Sequence, residues 1–151
     1  MAHGKKVVLA IDDIVLSLHV IKKLLEDTFE VYLAKSIDLA SNILNSIKVD
    51  MILLDIEMPE ISGLDYLKYL QETPQYRDIP VIFITSHATK EFIVEAMNAG
   101  AKDFIAKPIS PDILKGKICT VLKMTPERKA AAEEETVSPE QHLLDDFKFP
   151  F

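Results

Sequence analysis

Asp12, Asp13, Asp55, Thr85 and Lys107 are the residues whose types could do phosphate chemistry together, and each stands at the end of a short apolar run. Residues 7–11 lead into Asp12 and Asp13, 51–54 into Asp55, 81–84 into Thr85, and 104–106 into Lys107. Three carboxylates brought to one edge would repel, since like charges about 4 Å apart cost roughly 4 kcal/mol per pair at an effective dielectric near 20. Such a cluster takes up protons or binds a cation. Its donors are all oxygens, with no His or Cys at matching spacing, which favours Mg2+, or else Mn2+, over zinc. Lys107 could pair with one phosphoryl oxygen while the Thr85 hydroxyl donates to another. Asp55 is then the nucleophile of an aspartyl phosphate, and the rest of the site supplies position and charge neutralisation. Singly, each residue has a plainer reading: an acid after a strand is commonly a helix cap, and a lone lysine is commonly a surface residue. The coincidence of all five carries the chemistry.

They meet only if the runs are parallel strands of one sheet. The runs are short, rich in Val, Ile, Leu and Phe, and nearly continuous, as suits strands buried on both faces. A further run at 29–33 supplies a fifth strand. Between the runs, apolar residues fall three or four apart: Leu18, Ile21 and Leu25; Ala40, Ile43, Leu44 and Ile47; Leu64, Leu67 and Leu70; Ile93, Ala96 and Met97; Leu114, Ile118, Val121 and Leu122. That is helical spacing. Strand and helix alternate five times, which predicts an α/β sheet, doubly wound, with helices on both faces and right-handed crossovers. Ser36 and the run Ser110-Pro111-Asp112 read as helix starts, and Gly100 as the left-handed residue after the fourth helix. With Met124 closing the last helix, one domain is expected over residues 3–124. In open sheets of this kind ligands sit outside the carboxyl ends of the strands.

The 151-residue chain carries a formal net charge of −7, of which −4 lies on residues 125–151. Direct binding to duplex DNA is therefore not expected. No apolar stretch reaches the length of a membrane span and no signal peptide is visible, so a cytoplasmic location and no membrane partner are expected. Cys119 is the single cysteine; no disulfide framework exists, and the residue reads as a small buried hydrophobe.

The residues Ile11-Asp12-Asp13, the run 53–59 with Gly63, Ile79-Pro80-Val81-Ile82 leading to Thr85, Ala99-Gly100-Ala101 and Lys107-Pro108 resemble the response-regulator receiver domain of two-component signalling, chemotaxis-type. The resemblance covers about residues 5–123. It implies a flavodoxin-like five-stranded sheet in order 2-1-3-4-5, Asp55 as phosphoacceptor, and Asp12, Asp13 and the Glu57 carbonyl around Mg2+. It also implies a cis peptide before Pro108, which proline makes accessible. A phosphoryl group would come from a histidine kinase or histidine phosphotransfer protein. Thr85 would move toward that group and Phe104 turn inward. The face of the fourth helix, fifth strand and fifth helix would then bind a downstream protein or output domain, or a second copy in a homodimer. A receiver of this kind catalyses its own phosphorylation and dephosphorylation and turns over no outside substrate.

Several positions depart from the usual pattern. Phe104 stands where tyrosine is commoner, so no hydroxyl marks its position. Glu57 and His87 each lie two residues beyond a site residue, and Ser86 is larger than the alanine or glycine often found there; all three would tune the lifetime of the acyl phosphate. Ile14, Val15 and Leu16 make the first helix start unusually apolar, either through core packing or as a docking patch. His3, His19 and His142 have no ligand spacing, so no kinase activity of its own is expected. The tail reads as two helix starts, at Thr125-Pro126-Glu127 and in a capping box at Ser138-Pro139-Glu140-Gln141, followed by three phenylalanines in the last five residues. It is too short for an independent output domain and reads as a linker or a binding segment. An aspartyl-phosphate phosphatase would space its two first-loop acids by one residue, whereas Asp12 and Asp13 are adjacent. A flavin carrier would need a Ser/Thr-rich first loop. A pseudo-receiver, binding partners without phosphorylation, is the main alternative.

Overall fold

The runs are continuous because both faces of the sheet are covered. In the computed structural model, which describes residues 4–58 and 61–124, the chain runs β1 (Val7–Ile11), α1 (Val15–Leu25), β2 (Glu30–Ala34), α2 (Ile37–Ser46), β3 (Met51–Asp55), α3 (Gly63–Glu72), β4 (Val81–Thr85), α4 (Lys90–Asn98), β5 (Asp103–Ala106) and α5 (Pro111–Leu122). All strand pairs are parallel, in the order β2-β1-β3-β4-β5. Successive strand side chains point to opposite faces. Leu9, Ile11, Ile52, Leu54, Phe83 and Phe104 join one apolar layer with residues of α2, α3 and α4. Val8, Ala10, Leu53, Ile82, Ile84 and Ile105 join the other, under α1 and α5. Every residue of β3 and β4 is buried, while the edge strands β2 and β5 are only partly so. Burying a Leu, Ile or Phe side chain contributes about 1.5–3 kcal/mol, so these two layers can hold several like charges together at the sheet edge.

The expected fold class and strand order are those observed. Helix α1 returns the chain to β2 on one side of β1, and α2 carries it over the other face to β3. The topological switch point therefore lies between β1 and β3. Side-chain caps start four helices: Ser36, Ser62, Thr89 and Ser110 accept from the backbone N–H of Leu39, Asp65, Phe92 and Ile113 at 3.2, 3.1, 3.2 and 3.4 Å. Ser62 and Thr89 were not expected to cap from the sequence. Gly100 has φ +116°, as its position after α4 requires. Strand β2 starts at Glu30, one residue later than the apolar run suggests, because Phe29 closes the loop with its N–H on the Leu25 carbonyl at 2.8 Å. Helix α5 stops at Leu122 and not at Met124. Lys123 adopts the left-handed conformation at φ 59°, and the Met124 N–H turns back to the Cys119 carbonyl at 2.7 Å. Likewise Ile47 leaves α2 as its extended C-cap. Cys119 is buried. Among the described residues no helix is long and apolar enough to cross a membrane. His3, Pro59 and the readings on residues 125–151, His142 included, fall outside the described residues.

Candidate functional site

Strand register decides which side chains share the edge. Ile11 pairs with Leu54, Asp55 with Ile84, and Thr85 with Ala106. Asp12 and Asp55 thus end adjacent strands at the same height, and Thr85 and Lys107 continue the edge across β4 and β5. The carboxylates of Asp12, Asp13 and Asp55 each place an oxygen within 4.8 Å of the others. Asp12 and Asp55 are buried and Asp13 is exposed, so the cluster has one open side.

Asp12 has several tasks. Its Oδ1 accepts the Ile14 N–H at 2.9 Å, which opens α1 in place of a side-chain cap; Ile14 at the N-cap position offers none. Its Oδ2 takes the Lys107 ammonium at 3.0 Å. Lys107 also reaches Ser17 Oγ at 3.4 Å, a neighbour that sequence spacing does not reveal. Its backbone N–H donates to the Thr85 carbonyl at 2.8 Å, and the peptide to Pro108 is cis. These bonds turn the chain after β5 so that the ammonium points back across the strand ends.

Asp55 is held less generously. The Glu57 N–H donates to its Oδ1 at 3.2 Å. Burial, and next the charge of Asp12, push its pKa up to about 7, against the opposing pull of the Glu57 N–H and of Lys107. A carboxylate that resists ionising beside another carboxylate is a site short of positive charge. The oxygen-only donor set and its open side fit a hard divalent cation. Gly63, at the start of α3, explains how the loop after β3 closes. A Cβ there would lie 2.6 Å from the Asp55 carbonyl oxygen and from Ile56 Cα. Only a glycine lets α3 approach the Asp55 backbone so closely.

Thr85 is buried at the end of β4, and its Oγ1 accepts the His87 N–H at 2.9 Å. Its own hydroxyl proton is left to donate. The side chains of Glu57 and His87 are both well exposed and are hydrogen-bonded to each other across the loops after β3 and β4. Thirty residues separate them in the chain, so spacing alone gives no hint of the contact. Ser86 is exposed beside them. Phe104 is 1% exposed, its ring already inside, with the Lys117 ammonium 4.9 Å from the ring centroid. The ring is thus buried in this structure, as suits an apolar ring that has no hydroxyl to present to solvent. Lys117 escapes a sequence reading because it looks like a surface lysine. The only available hint is its place in the α5 stripe, between Leu114 and Ile118. Ile14, Val15, Leu16 and Val20 are exposed, so core packing does not account for the apolar start of α1. A cavity of about 400 Å3 beside Lys48, Asp50, Tyr76 and Asp78 lies at the opposite edge of the sheet, away from the carboxylates.

Comparison with known proteins agrees with this fold. The family model described as the response regulator receiver domain matches residues 8–119. The chain is 37% identical over 98 residues to the phosphate regulon transcriptional regulatory protein PhoB of Escherichia coli (strain K12), covering 65% of this chain and 43% of that protein. It is 35% identical over 97 residues to the cyclic di-GMP phosphodiesterase response regulator RpfG of Xanthomonas campestris pv. campestris (strain 8004), covering 64% of this chain and 25% of that protein. The chain therefore spans less than half the length of these two relatives. Among solved structures, the chemotaxis protein CheY4 of Vibrio cholerae superposes with a TM-score of 0.74 at 26% identity, covering 78% of this chain and 99% of that one.

Proposed function

This chain belongs to the response regulator receiver domain family, and from that premise we propose that it takes a phosphoryl group on Asp55 from a histidine kinase or histidine phosphotransfer protein. The observation that carries the reading is the convergence of three aspartates within 4.8 Å, with Lys107 bound to one of them at 3.0 Å. A carboxylate oxygen of Asp55 attacks phosphorus, the donor's P–N bond breaks, and the donor ring, already protonated on its other nitrogen, leaves as neutral imidazole with the bonding electron pair. Asp12, Asp13, Asp55 and the Glu57 carbonyl would hold Mg2+, or Mn2+ in its place. The cation, when bound, neutralises the carboxylates and the phosphoryl oxygens. Lys107 exchanges its contact with Asp12 for one with a phosphoryl oxygen. Thr85 donates its hydroxyl proton to another. Glu57, Ser86 and His87 line the mouth through which hydrolytic water enters and set the lifetime of the acyl phosphate.

The signal leaves through Thr85 and Phe104 toward the face of α4, β5 and α5, where a downstream protein, an output domain or a second copy binds. Phosphorylation needs only to favour one of two pre-existing conformers. The domain acts through binding in the cytoplasm and turns over no outside substrate. The test is labelling by acetyl phosphate with Mg2+, with the label mapped by peptide analysis. Label on Asp55, lost in Asp55→Asn, supports the assignment. Mg2+ binding without any uptake of phosphoryl group or beryllofluoride identifies a pseudo-receiver instead.

A further inference from the structure

Among the described residues, one charged side chain away from the aspartates is almost wholly buried. Lys117 of α5 is 2% exposed, and no step at the phosphoryl site uses it. A buried ammonium is costly unless fully partnered, and an aliphatic residue would fill the same space without that cost. Several contacts of Lys117 gather around Phe104. Its Nζ donates to the Phe104 carbonyl at 2.9 Å and to Asp103 Oδ1 at 2.9 Å. The same Asp103 oxygen accepts the Phe104 N–H at 2.8 Å. The ammonium also stands over the Phe104 ring, 4.9 Å from its centroid. Ring, carbonyl and N–H of Phe104 are therefore all tied to one ion pair, which joins β5 to α5. Phe104 in turn is paired with Phe83, two residues before Thr85 on β4.

We infer that Lys117, with Asp103, is the positioning residue for Phe104. It fixes the ring inside and couples it to α5, so that a displacement of Phe104 is passed to that helix. This rests on the reading of Phe104 as the side chain through which the phosphoryl site reaches the α4-β5-α5 face. The clamp also explains how phenylalanine serves there: the ring has no hydroxyl to anchor it, and the cation anchors its face instead.

The test uses the full chain, labelled for NMR, with and without Mg2+ and beryllofluoride. Lys117→Met removes the cation and keeps the volume; Lys117→Arg keeps both cation and stacking. Loss of the ring contact should change the balance of Phe104 ring conformers by roughly fivefold to thirtyfold. In Lys117→Met the Phe104 aromatic signals should therefore move before any analogue is added. Analogue uptake at Asp55 should be retained, and the analogue-induced shifts along α5 should shrink. Lys117→Arg should restore them. Wild-type Phe104 signals and a wild-type α5 response in Lys117→Met would overturn the inference. Should Lys117→Met fail to fold, Asp103→Asn decides: a reduced α5 response supports the clamp and an undiminished one overturns it. If the wild-type chain takes up no beryllofluoride, it is the switch reading that fails. The Phe104 signals of the analogue-free variants still decide the clamp.

Discussion

Two lysines, Lys107 half-buried and Lys117 buried, face two different electrostatic surroundings. Lys107 keeps 16% of its side chain exposed, meets the carboxylate of Asp12 at 3.0 Å, and shares its neighbourhood with two further aspartates. Lys117 keeps 1%, and its contacts include the Asp103 carboxylate, the Phe104 carbonyl and the face of the Phe104 ring. The first is a site with too much negative charge and room for a ligand. The second is closed and charge-matched. Burial alone therefore does not mark a functional charge. The mark is a mismatch between charges and partners, and here it is legible in Asp55, whose pKa stands at about 7 because burial and Asp12 outweigh the single ammonium. The matched pair is suited to transmit a displacement, and the mismatched cluster to bind a ligand.

The largest expected effect separates the two regions completely. Asp55→Asn should abolish labelling by acetyl phosphate while leaving the circular dichroism spectrum and the Phe104 NMR signals intact. Persistent label on another residue would remove Asp55 from its role.

Next come the partners of the two lysines. Asp103→Ala leaves the Lys117 ammonium without its carboxylate and should cost about 3 kcal/mol of stability, near the lower end for broken buried pairs because Asp103 is partly exposed. Phosphoryl-analogue uptake should survive it. Lys107→Ala should do the reverse. With Mg2+ present to neutralise the carboxylates in its place it should change the urea midpoint little, yet uncouple phosphorylation from the response of α5. Equal stability losses in the two variants would erase the contrast between an open and a closed charge site.

The mismatch itself predicts a pH dependence. The pKa of Asp55 is raised from its ordinary 3.8 to about 7 in the fold, so the folded chain holds that proton more tightly than the unfolded chain. Without divalent cations, stability should therefore be highest below about pH 4 as far as this group is concerned, and should decline until the pH passes about 7. Solvent at the open side screens part of the effect, leaving about 1–3 kcal/mol. Mg2+ should cancel the decline and Asp55→Asn should flatten it. A cation-free protein whose urea midpoint rises steadily over that range would contradict the sign.

The smallest effect concerns how the open site is built. Gly63→Ala must displace the Asp55–Ile56 backbone, with a Cβ only 2.6 Å from it. It should cost about 1–3 kcal/mol, as overpacking does, and weaken Mg2+ binding measured by titration calorimetry. An unchanged affinity would mean that α3 can retreat without disturbing Asp55.

Much of this protein is determined by local pattern. Strands buried on both faces need unbroken apolar runs, and helices covering those faces need apolar residues three or four apart. The alternation of the two therefore specifies a doubly wound parallel sheet from residue types alone. Asp12, Asp13, Asp55, Thr85 and Lys107 are legible for the same reason, since each interrupts a run at the place where the strand leaves the core. Ser36, Gly100 and Ser110 act within a few residues of where they stand, and so they too can be read directly. What the tertiary structure alone decided depends on contacts between distant segments. Glu57 meets His87 across two loops, Ser17 reaches Lys107, and Asp103 and Phe104 enclose Lys117. Helical spacing presents Lys117 as one more polar residue, and only the packing of α5 on β5 removes it from water and obliges it to find partners. The raised pKa of Asp55 has the same origin: a carboxylate's charge is written in the sequence, but its desolvation and its distance from Asp12 exist only once the strands are in register.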